Sequence, residues 1–184
     1  MTDPTVAALG VAPDALQTLI SDLCRTGQTV ATAESLTGGL VAAVLTTVPG
    51  SSAVVRGGFV AYATELKHAL AGVDPELLAR EGAVHPEVAR QLAAGARLRC
   101  GATLGLGLTG VAGPDPQDGR PVGTVFLCLD RGDRRWESAE AFAGDRATIR
   151  AASVRRALAL LAGACRADRR GGPGEPGEPG EPGT

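Results

Sequence analysis

The sequence predicts an α/β sandwich with a mixed sheet, because strand-like segments alternate with helix-like segments along the chain and one pair of strands forms a hairpin. Hydrophobic residues make up 44% of the 184 residues, whereas aromatic residues make up only 3%. The core must therefore be built mainly from Ala, Val and Leu, which favours close packing of helices on the sheet. The length fits one domain.

The first part of the chain predicts a helix, a strand, a tight turn and a second helix. Apolar residues recur at helical spacing behind Pro13, and Gly27 stands where a helix C-terminus favours glycine. A β-prone run over residues 29–33 leads directly into Ser35 and then into an apolar helical segment over residues 40–45. A serine is therefore expected at a strand-to-helix turn.

The middle of the chain predicts two strands separated by helices. A strand is expected over residues 58–62, followed by a short helix over residues 64–71 and by a helix that begins at Asp74-Pro75 with a capping residue. A longer helix should run over residues 86–99. The next strand, over residues 103–108, contains glycines, whose lack of a side chain would allow another backbone segment or a ligand to approach the strand closely.

The last part of the chain predicts a hairpin and a long helix. Strands over residues 123–129 and 136–142 flank Arg131-Gly132, and an Ala- and Leu-rich helix runs over residues 146–165. Gly-Glu-Pro repeats then form an acidic tail that we expect to be disordered. The predicted divisions are an N-terminal extension over residues 1–12, a folded domain over residues 13–168 and the tail over residues 169–184.

Charge and hydropathy argue against several classes of function. The 18 basic and 20 acidic residues are spread along the chain without a basic stripe, which argues against nucleic acid as the main partner. No apolar stretch approaches the roughly 18 residues of a membrane span, and the N-terminus lacks the basic segment of a signal peptide. We therefore expect a cytoplasmic protein without a membrane partner.

Cysteine and histidine are too scattered to indicate a metal centre. The four cysteines form no Cys-x-x-Cys pair, and His68 and His85 are the only histidines. Neither a Walker motif nor a Gly-x-Gly-x-x-Gly motif after a strand is present. The sequence thus predicts no metal and no cofactor, and any catalytic base must be a residue other than histidine.

Ser35 is the candidate nucleophile. It precedes Thr37, Gly38 and Gly39 at the expected strand-to-helix turn, where unpaired backbone N–H groups can hold an oxyanion or a phosphate. The alternative is that Ser35 only caps the following helix, which is a common role for serine at this position. Position alone leaves both interpretations open.

Lys67 is the candidate base for Ser35. It is the single lysine in a chain with seventeen arginines, and an ammonium group can be deprotonated whereas a guanidinium cannot. Tyr62, the only tyrosine, stands five residues earlier, so its hydroxyl could reach Lys67. The alternative is that Lys67 is a solvated surface group.

Two further segments are candidate anion sites. The glycine-rich segment after the second middle strand includes Thr109, Gly110 and Gly113, and such loops expose backbone donors, although similar loops also occur as plain turns. Arg146 stands in the first turn of the last predicted helix. Its guanidinium could bind a phosphate or pair with a surface carboxylate.

Taken together, these segments resemble the CinA C-terminal family, the nicotinamide-nucleotide amidohydrolases. The similarity covers roughly residues 13–165 and combines several ordered motifs. They are Ala33-Glu34-Ser35-Leu36-Thr37-Gly38-Gly39, Gly58-Phe59-Val60-Ala61-Tyr62, Lys67, Gly82-Ala83-Val84, Thr109-Gly110-Val111-Ala112-Gly113-Pro114, Pro121-Val122-Gly123-Thr124-Val125 and Gly144-Asp145-Arg146.

The resemblance implies a fold and an activity. The fold is a three-layer α/β/α sandwich with a mixed, mostly parallel sheet, often assembled as a homo-oligomer. The activity is deamidation of nicotinamide mononucleotide to nicotinate mononucleotide and ammonia, with Ser35, Tyr62 and Lys67 catalytic and Arg146 assisting. Because only a dozen residues precede the first predicted helix, we expect the stand-alone form without the N-terminal domain of larger members.

One departure from the family pattern affects the expected substrate contacts. Ala63-Thr64 follows Tyr62, where the family commonly has Ser-Asn, so the Thr64 hydroxyl would have to replace an asparagine contact to the substrate. In the expected mechanism, neutral Lys67 accepts the Ser35 proton directly or through Tyr62. Backbone N–H groups near the Thr37-Gly38-Gly39 turn would stabilise the oxyanion.

Two other functions compete with deamidation of the mononucleotide. One is a CinA-type binding module that acts through protein contacts in DNA uptake or repair. The presence of Ser35, Tyr62 and Lys67 together argues against it. The other is an amidase for a different small amide.

Overall fold

The computed structural model describes residues 3–170, which fold into helices and strands around one sheet. The helices are α1 (Pro4–Ala8), α2 (Pro13–Arg25), α3 (Leu40–Thr46), α4 (Thr64–Ala71), α5 (Pro75–Glu81), α6 (Pro86–Arg99) and α7 (Arg146–Arg170). The strands are β1 (Val30–Glu34), β2 (Val55–Val60), β3 (Leu104–Gly110), β4 (Thr124–Asp130) and β5 (Arg135–Ala141).

The sheet has the strand order β2-β1-β3-β4-β5. Strand β1 pairs in parallel with β2 and β3, whereas β4 is antiparallel to both β3 and β5. Glu34 at the end of β1 lies opposite Val60 in β2 and Leu108 in β3. The predicted mixed sheet is confirmed, and the segments that follow the three parallel strands leave the sheet at the same edge.

Helices cover both faces of the sheet, so the predicted three-layer sandwich is confirmed. Leu104, Leu106 and Leu108 of β3 are fully buried in a core shared with α2, α3 and α7. On the opposite face, Ala31 and Ala33 of β1 pack in a second core with α4, α5 and α6. The small side chains on this second face bring its helices close to the sheet.

The glycines of β3 are explained by the helix that packs on them. A Cβ at Gly105 would lie 1.9 Å from the carbonyl oxygen of Ala93 in α6, and one at Gly107 would lie 2.4 Å from the carbonyl oxygen of Ala89. The close approach that the sequence indicated is therefore made by helix backbone and not by a ligand.

Several predicted boundaries differ from the structure. Strand β2 begins at Val55 and ends at Val60, because the chain turns away from the sheet edge before Tyr62. Helix α7 continues to Arg170, past the predicted end of the domain, and the rest of the predicted tail lies outside the described residues. Helix α1 lies in the segment predicted as an extension, and its Val6 is 3% exposed in the core.

Among the described helices, none combines the length and the hydropathy that crossing a bilayer requires.

We expect Gly105→Ala to lower the free energy of unfolding by roughly 1–3 kcal/mol, because a new Cβ would overlap the backbone of α6. Urea titration followed by circular dichroism would measure this change. Gly163→Ala in α7 is the matched control, since a Cβ there meets only the Arg166 side chain at 3.9 Å. The control should be as stable as the parent or up to about 1 kcal/mol more stable, and equal stability of the two variants would contradict the packing assigned to Gly105.

Candidate active site

A cleft opens where the parallel strands β1, β2 and β3 end. It has a volume of about 480 Å³ including its open mouth. The polar side chains that line it are those of Ser35, Tyr62, Thr109, Asp115, Gln117 and Arg146. The carboxyl ends of parallel strands are where α/β folds place ligands, so this cleft is the candidate active site.

Lys67 lies buried beside Ser35, which lines the cleft. Its Nζ is 3.3 Å from Ser35 Oγ, 2.9 Å from the carbonyl oxygen of Ala61 and 3.2 Å from that of Tyr62. The residue is only 1% exposed, and Ser35 is 8% exposed. The pairing expected from the sequence is therefore present, and the alternative of a solvated surface lysine is wrong.

Burial lowers the pKa of Lys67 from 10.5 to about 8, although the carboxylates of Asp118 and Glu65 act in the opposite direction. At pH 7, the Lys67 amine is then neutral in roughly a tenth of the molecules. A neutral amine carries two hydrogens and one lone pair. With the hydrogens donated to the carbonyls of Ala61 and Tyr62, the lone pair is left to accept the hydroxyl proton of Ser35.

The Tyr62 side chain does not take the position expected from the sequence. Its hydroxyl accepts a hydrogen bond from the Arg146 guanidinium at 2.8 Å, and the residue is 57% exposed. Only its backbone carbonyl contacts Lys67. The relay through the Tyr62 hydroxyl is therefore not supported, because β2 ends before Tyr62 and the side chain extends toward the mouth of the cleft.

Arg146 joins two walls of the cleft. Besides Tyr62, it donates a hydrogen bond of 2.8 Å to the carbonyl oxygen of Gly113. The alternative of a surface carboxylate partner is wrong, since both of its acceptors belong to segments that line the cleft. A planar guanidinium exposed at the mouth is suited to bind a phosphate group.

Glu34, which sequence reasoning missed, caps the helix after the nucleophile. Its buried carboxylate accepts hydrogen bonds from the amides of Gly39, Val41 and Ala42 at 3.0, 3.1 and 2.9 Å. The alternative that Ser35 is the cap is therefore wrong. An acid immediately before a glycine-containing turn was the available signal, because helix N-termini favour negative charge.

The turn that follows Ser35 has fewer free donors than expected. The Gly38 amide donates to the Ser35 carbonyl oxygen at 3.0 Å, and the Gly39 amide is bound to Glu34. Neither can therefore receive an oxyanion as the turn stands. Within the described residues, the amides of Leu36 and Thr37 have no acceptor, and these two remain the candidate donors.

Two threonines expected to contact substrate have other roles or positions. Thr109 is buried, and its hydroxyl donates to the Ala83 carbonyl oxygen at 2.6 Å. Thr64 is exposed at the start of α4 and does not line the cleft. Gly110 lines the cleft with its backbone, where a Cβ would lie 2.5 Å from the Thr124 carbonyl oxygen.

Two further residues hold the cleft together and were missed from sequence. Asp118 has a positive φ of 51°, and its carboxylate accepts from the Ala83 amide at 2.7 Å, which fixes one wall. The Asp-Gly pair at this position was a turn signal. Arg150 of α7 donates to the carbonyl oxygens of Leu36 and Thr37. Its spacing of four from Arg146 places both on one helix face.

Comparisons with known proteins identify the family of the chain. The family model of the CinA C-terminal domain matches residues 14–165. The chain belongs to this family. A CinA-like protein from Frankia casuarinae is 49% identical over 153 residues, which are 83% of this chain and 35% of the relative. One from Acidobacterium capsulatum is 47% identical over 133 residues, 72% of this chain and 32% of the relative. This chain spans about a third of the length of these curated relatives.

Solved structures of the CinA family share the fold. The competence/damage inducible protein CihA from Agrobacterium tumefaciens is 38% identical with a TM-score of 0.79, and the match covers 83% of this chain and 94% of that chain. A CinA superfamily protein from Klebsiella pneumoniae is 29% identical with a TM-score of 0.80, covering 84% and 97%. The sheet order and layers described above are therefore those of the family.

We expect Glu34→Gln to lower the free energy of unfolding by roughly 1–3 kcal/mol. The two oxygens of the carboxylate accept hydrogen bonds from three backbone amides, whereas the side-chain amide of glutamine has only one acceptor oxygen. Thermal and urea unfolding would measure the change. Asp74→Asn is the control, since Asp74 caps α5 through one oxygen on the Glu76 amide. Loss of the same stability in both variants would contradict a special role for the Glu34 carboxylate.

Proposed function

We propose that the protein hydrolyses the carboxamide of nicotinamide mononucleotide to nicotinate mononucleotide and ammonia, as an amidohydrolase of pyridine nucleotide recycling. The observation that carries the proposal is the 3.3 Å contact between the buried amine of Lys67 and the hydroxyl of Ser35 in a cleft. The resemblance to the nicotinamide-nucleotide amidohydrolases supports the choice of substrate.

The first half of the reaction forms an ester on Ser35. The Ser35 oxygen attacks the carboxamide carbon while its proton moves to neutral Lys67, and an oxyanion develops on the carboxamide oxygen. The amides of Leu36 and Thr37 are the donors available to it. Lys67 then gives the proton to the nitrogen, the C–N bond breaks and ammonia leaves.

The second half of the reaction hydrolyses the ester. Water attacks the acyl carbon and gives a proton to Lys67, and the C–O bond to Ser35 breaks as Lys67 returns that proton to the serine oxygen. The acid group of nicotinate mononucleotide gives its remaining proton to solvent, and the product leaves as a carboxylate. The same amine serves as base and acid in both halves, so neither a metal ion nor a second base is required.

Arg146 is the proposed anchor for the 5′-phosphate. It is the guanidinium that lines the cleft at the mouth, and its two present acceptors, Tyr62 and Gly113, are neutral groups that a phosphate dianion can replace. The Thr109 hydroxyl is engaged by Ala83, which favours Arg146 over the loop that begins at Thr109. Tyr62 then acts at the phosphate end of the substrate and not as the base.

A binding module in competence or DNA damage is the second candidate, because matched proteins carry the name competence/damage inducible. Burying a lysine beside a serine hydroxyl brings a binding module no advantage, since desolvation of the amine is unfavourable. This contact therefore supports the enzyme. The homo-oligomer and the cytoplasmic location expected from the sequence stay predictions.

We expect Ser35→Ala to release no ammonia from nicotinamide mononucleotide and to bind it within about tenfold of the parent, because the nucleophile acts mainly in the transition state. A coupled ammonia assay and calorimetry would measure the two quantities. Ser51→Ala is the matched control, because Ser51 is also 8% exposed and lies outside the cleft. Substantial turnover by Ser35→Ala would exclude the serine, and lack of turnover by the parent would favour the binding module.

The kcat/KM of the parent should rise with pH through the Lys67 pKa of about 8 and level off above it, because the neutral amine is the active form. The kcat profile should turn at a lower pH, since the cationic pyridinium ring of bound substrate further disfavours the ammonium. Rates from pH 5 to 10 would measure both profiles. Lys67→Arg should be as inactive as Lys67→Ala, because a guanidinium stays protonated. An active Arg variant would show that Lys67 contributes only its positive charge and is not the base.

A further inference from the structure

Arg150 reaches from α7 to the turn that carries the nucleophile. Its Nε donates to the Leu36 carbonyl oxygen at 3.0 Å, and one terminal nitrogen donates to the Thr37 carbonyl oxygen at 2.9 Å. The guanidinium is half-buried and does not line the cleft. Arg150 therefore contacts the turn from behind, out of reach of a substrate in the cleft.

These two bonds complete the fixation of three consecutive carbonyls. The Ser35 carbonyl accepts from the Gly38 amide at 3.0 Å, and Arg150 holds the next two. In a trans peptide the C=O and the following N–H point in opposite directions, and the described cis bond lies elsewhere in the chain. Fixing the carbonyls of Ser35 and Leu36 therefore directs the amides of Leu36 and Thr37 away from those acceptors.

Thr37 carries an unsatisfied hydroxyl in addition to its amide. The residue is 0% exposed, and its Oγ1 is buried without a hydrogen-bond partner in the described part of the chain. Leu36 lines the cleft beside Ser35. Buried donors without acceptors are unfavourable in the free protein, so an oxygen atom brought next to Ser35 and Leu36 would find donors in this turn that have no other acceptor among the described residues.

We propose that Arg150 is a positioning residue for the oxyanion site. Its bond to the Leu36 carbonyl keeps the Thr37 amide aimed at the oxygen of the group that Ser35 attacks. Its bond to the Thr37 carbonyl holds the Gly38 amide on the Ser35 carbonyl, which keeps the Leu36 amide aimed at the same oxygen. This inference rests on the proposed serine chemistry. Arg150 then affects the stability of the transition state more than the binding of substrate, because the donors contact an oxygen whose negative charge exists only after attack.

Arg155 provides a matched control. It also lies on α7 and donates to a backbone carbonyl, that of Leu9, at 2.7 Å, but Leu9 is far along the chain from the nucleophile turn and outside the cleft. Arg155→Ala removes the same kind of helix-to-loop bond without touching the turn. A difference in activity between Arg150→Ala and Arg155→Ala therefore shows that the contact with the nucleophile turn matters, and not the loss of a helix-to-loop bond in general.

The first measurement is the kinetics of deamidation of nicotinamide mononucleotide. Outright loss of an oxyanion donor lowers kcat by about 10²–10³, so loosening the donors by Arg150→Ala should lower kcat by about 10- to 100-fold. KM should stay within about threefold, since the substrate oxygen is uncharged before attack. Arg150→Lys, which replaces the rigid planar fork of the guanidinium with a single nitrogen, should also be slow, and it carries the test if the Ala variant does not fold. Arg155→Ala should keep the parent kcat.

The second measurement does not depend on the natural substrate. The reagent is an alkyl fluorophosphonate, which labels an activated serine. The Ser35 oxygen bonds to phosphorus as the P–F bond breaks and fluoride leaves, and the serine proton passes to Lys67. The phosphoryl oxygen of the reagent takes the place of the oxyanion. Mass spectrometry would give the labelling rate of Ser35, with Ser35→Ala as the blank. Labelling should slow in Arg150→Ala by about the same factor as kcat, with little change in Arg155→Ala.

The outcomes separate this inference from the proposed function. A parent that labels at Ser35 in an Arg150-dependent way but releases no ammonia from the mononucleotide would remove the proposed substrate and support the positioning role. Unchanged labelling in the Arg150 variants, an increase in KM alone, an equal loss in Arg155→Ala, or no labelling of Ser35 in the parent would each overturn it.

Discussion

The buried amine of Lys67 is the constraint on which the site depends. Burial disfavours the charged ammonium and lowers the pKa of Lys67 to about 8, and the hydrogens of a buried amine need acceptors in either protonation state. The carbonyls of Ala61 and Tyr62 supply those acceptors. They lie just past Val60, where β2 ends, so the end of this strand makes its carbonyls available to the lysine.

Two charged side chains bind the polar backbone groups of the turn after β1. The carboxylate of Glu34 accepts amides at the start of α3, and the guanidinium of Arg150 donates to carbonyls one and two residues after Ser35. The negative charge of Glu34 is favoured at the N-terminus of α3, and the guanidinium of Arg150 is matched to carbonyl oxygens of the turn. Among the described residues, the amides of Leu36 and Thr37 next to the nucleophile remain without an acceptor, and these are donors that an acyl transfer reaction can use.

The sequence predicted most of the fold because its signals were local. Pro86 and Arg99 were correct helix ends, since a proline begins the helix and a glycine follows it. The pairing of Ser35 with Lys67 followed from the position of Ser35 at a strand-to-helix turn, from the rarity of lysine in the chain and from the resemblance. The position of the Tyr62 hydroxyl does not support the relay, and Arg150 was missed. Its contact joins residues 114 apart, and such a contact leaves no periodic pattern in the chain.

The departure from the family pattern at Ala63-Thr64 lies away from the chemistry. Thr64 begins α4 on the exposed side, so an asparagine or a threonine there does not face Ser35. The wall opposite the nucleophile is instead built by a chain of hydrogen bonds in which Asp118 accepts from the Ala83 amide and the Ala83 carbonyl accepts from Thr109. Asp115 and Gln117 line the cleft from the same loop as Asp118. For the proposed amidase, a substrate held against Ser35 in the cleft would therefore contact this loop and not residue 64.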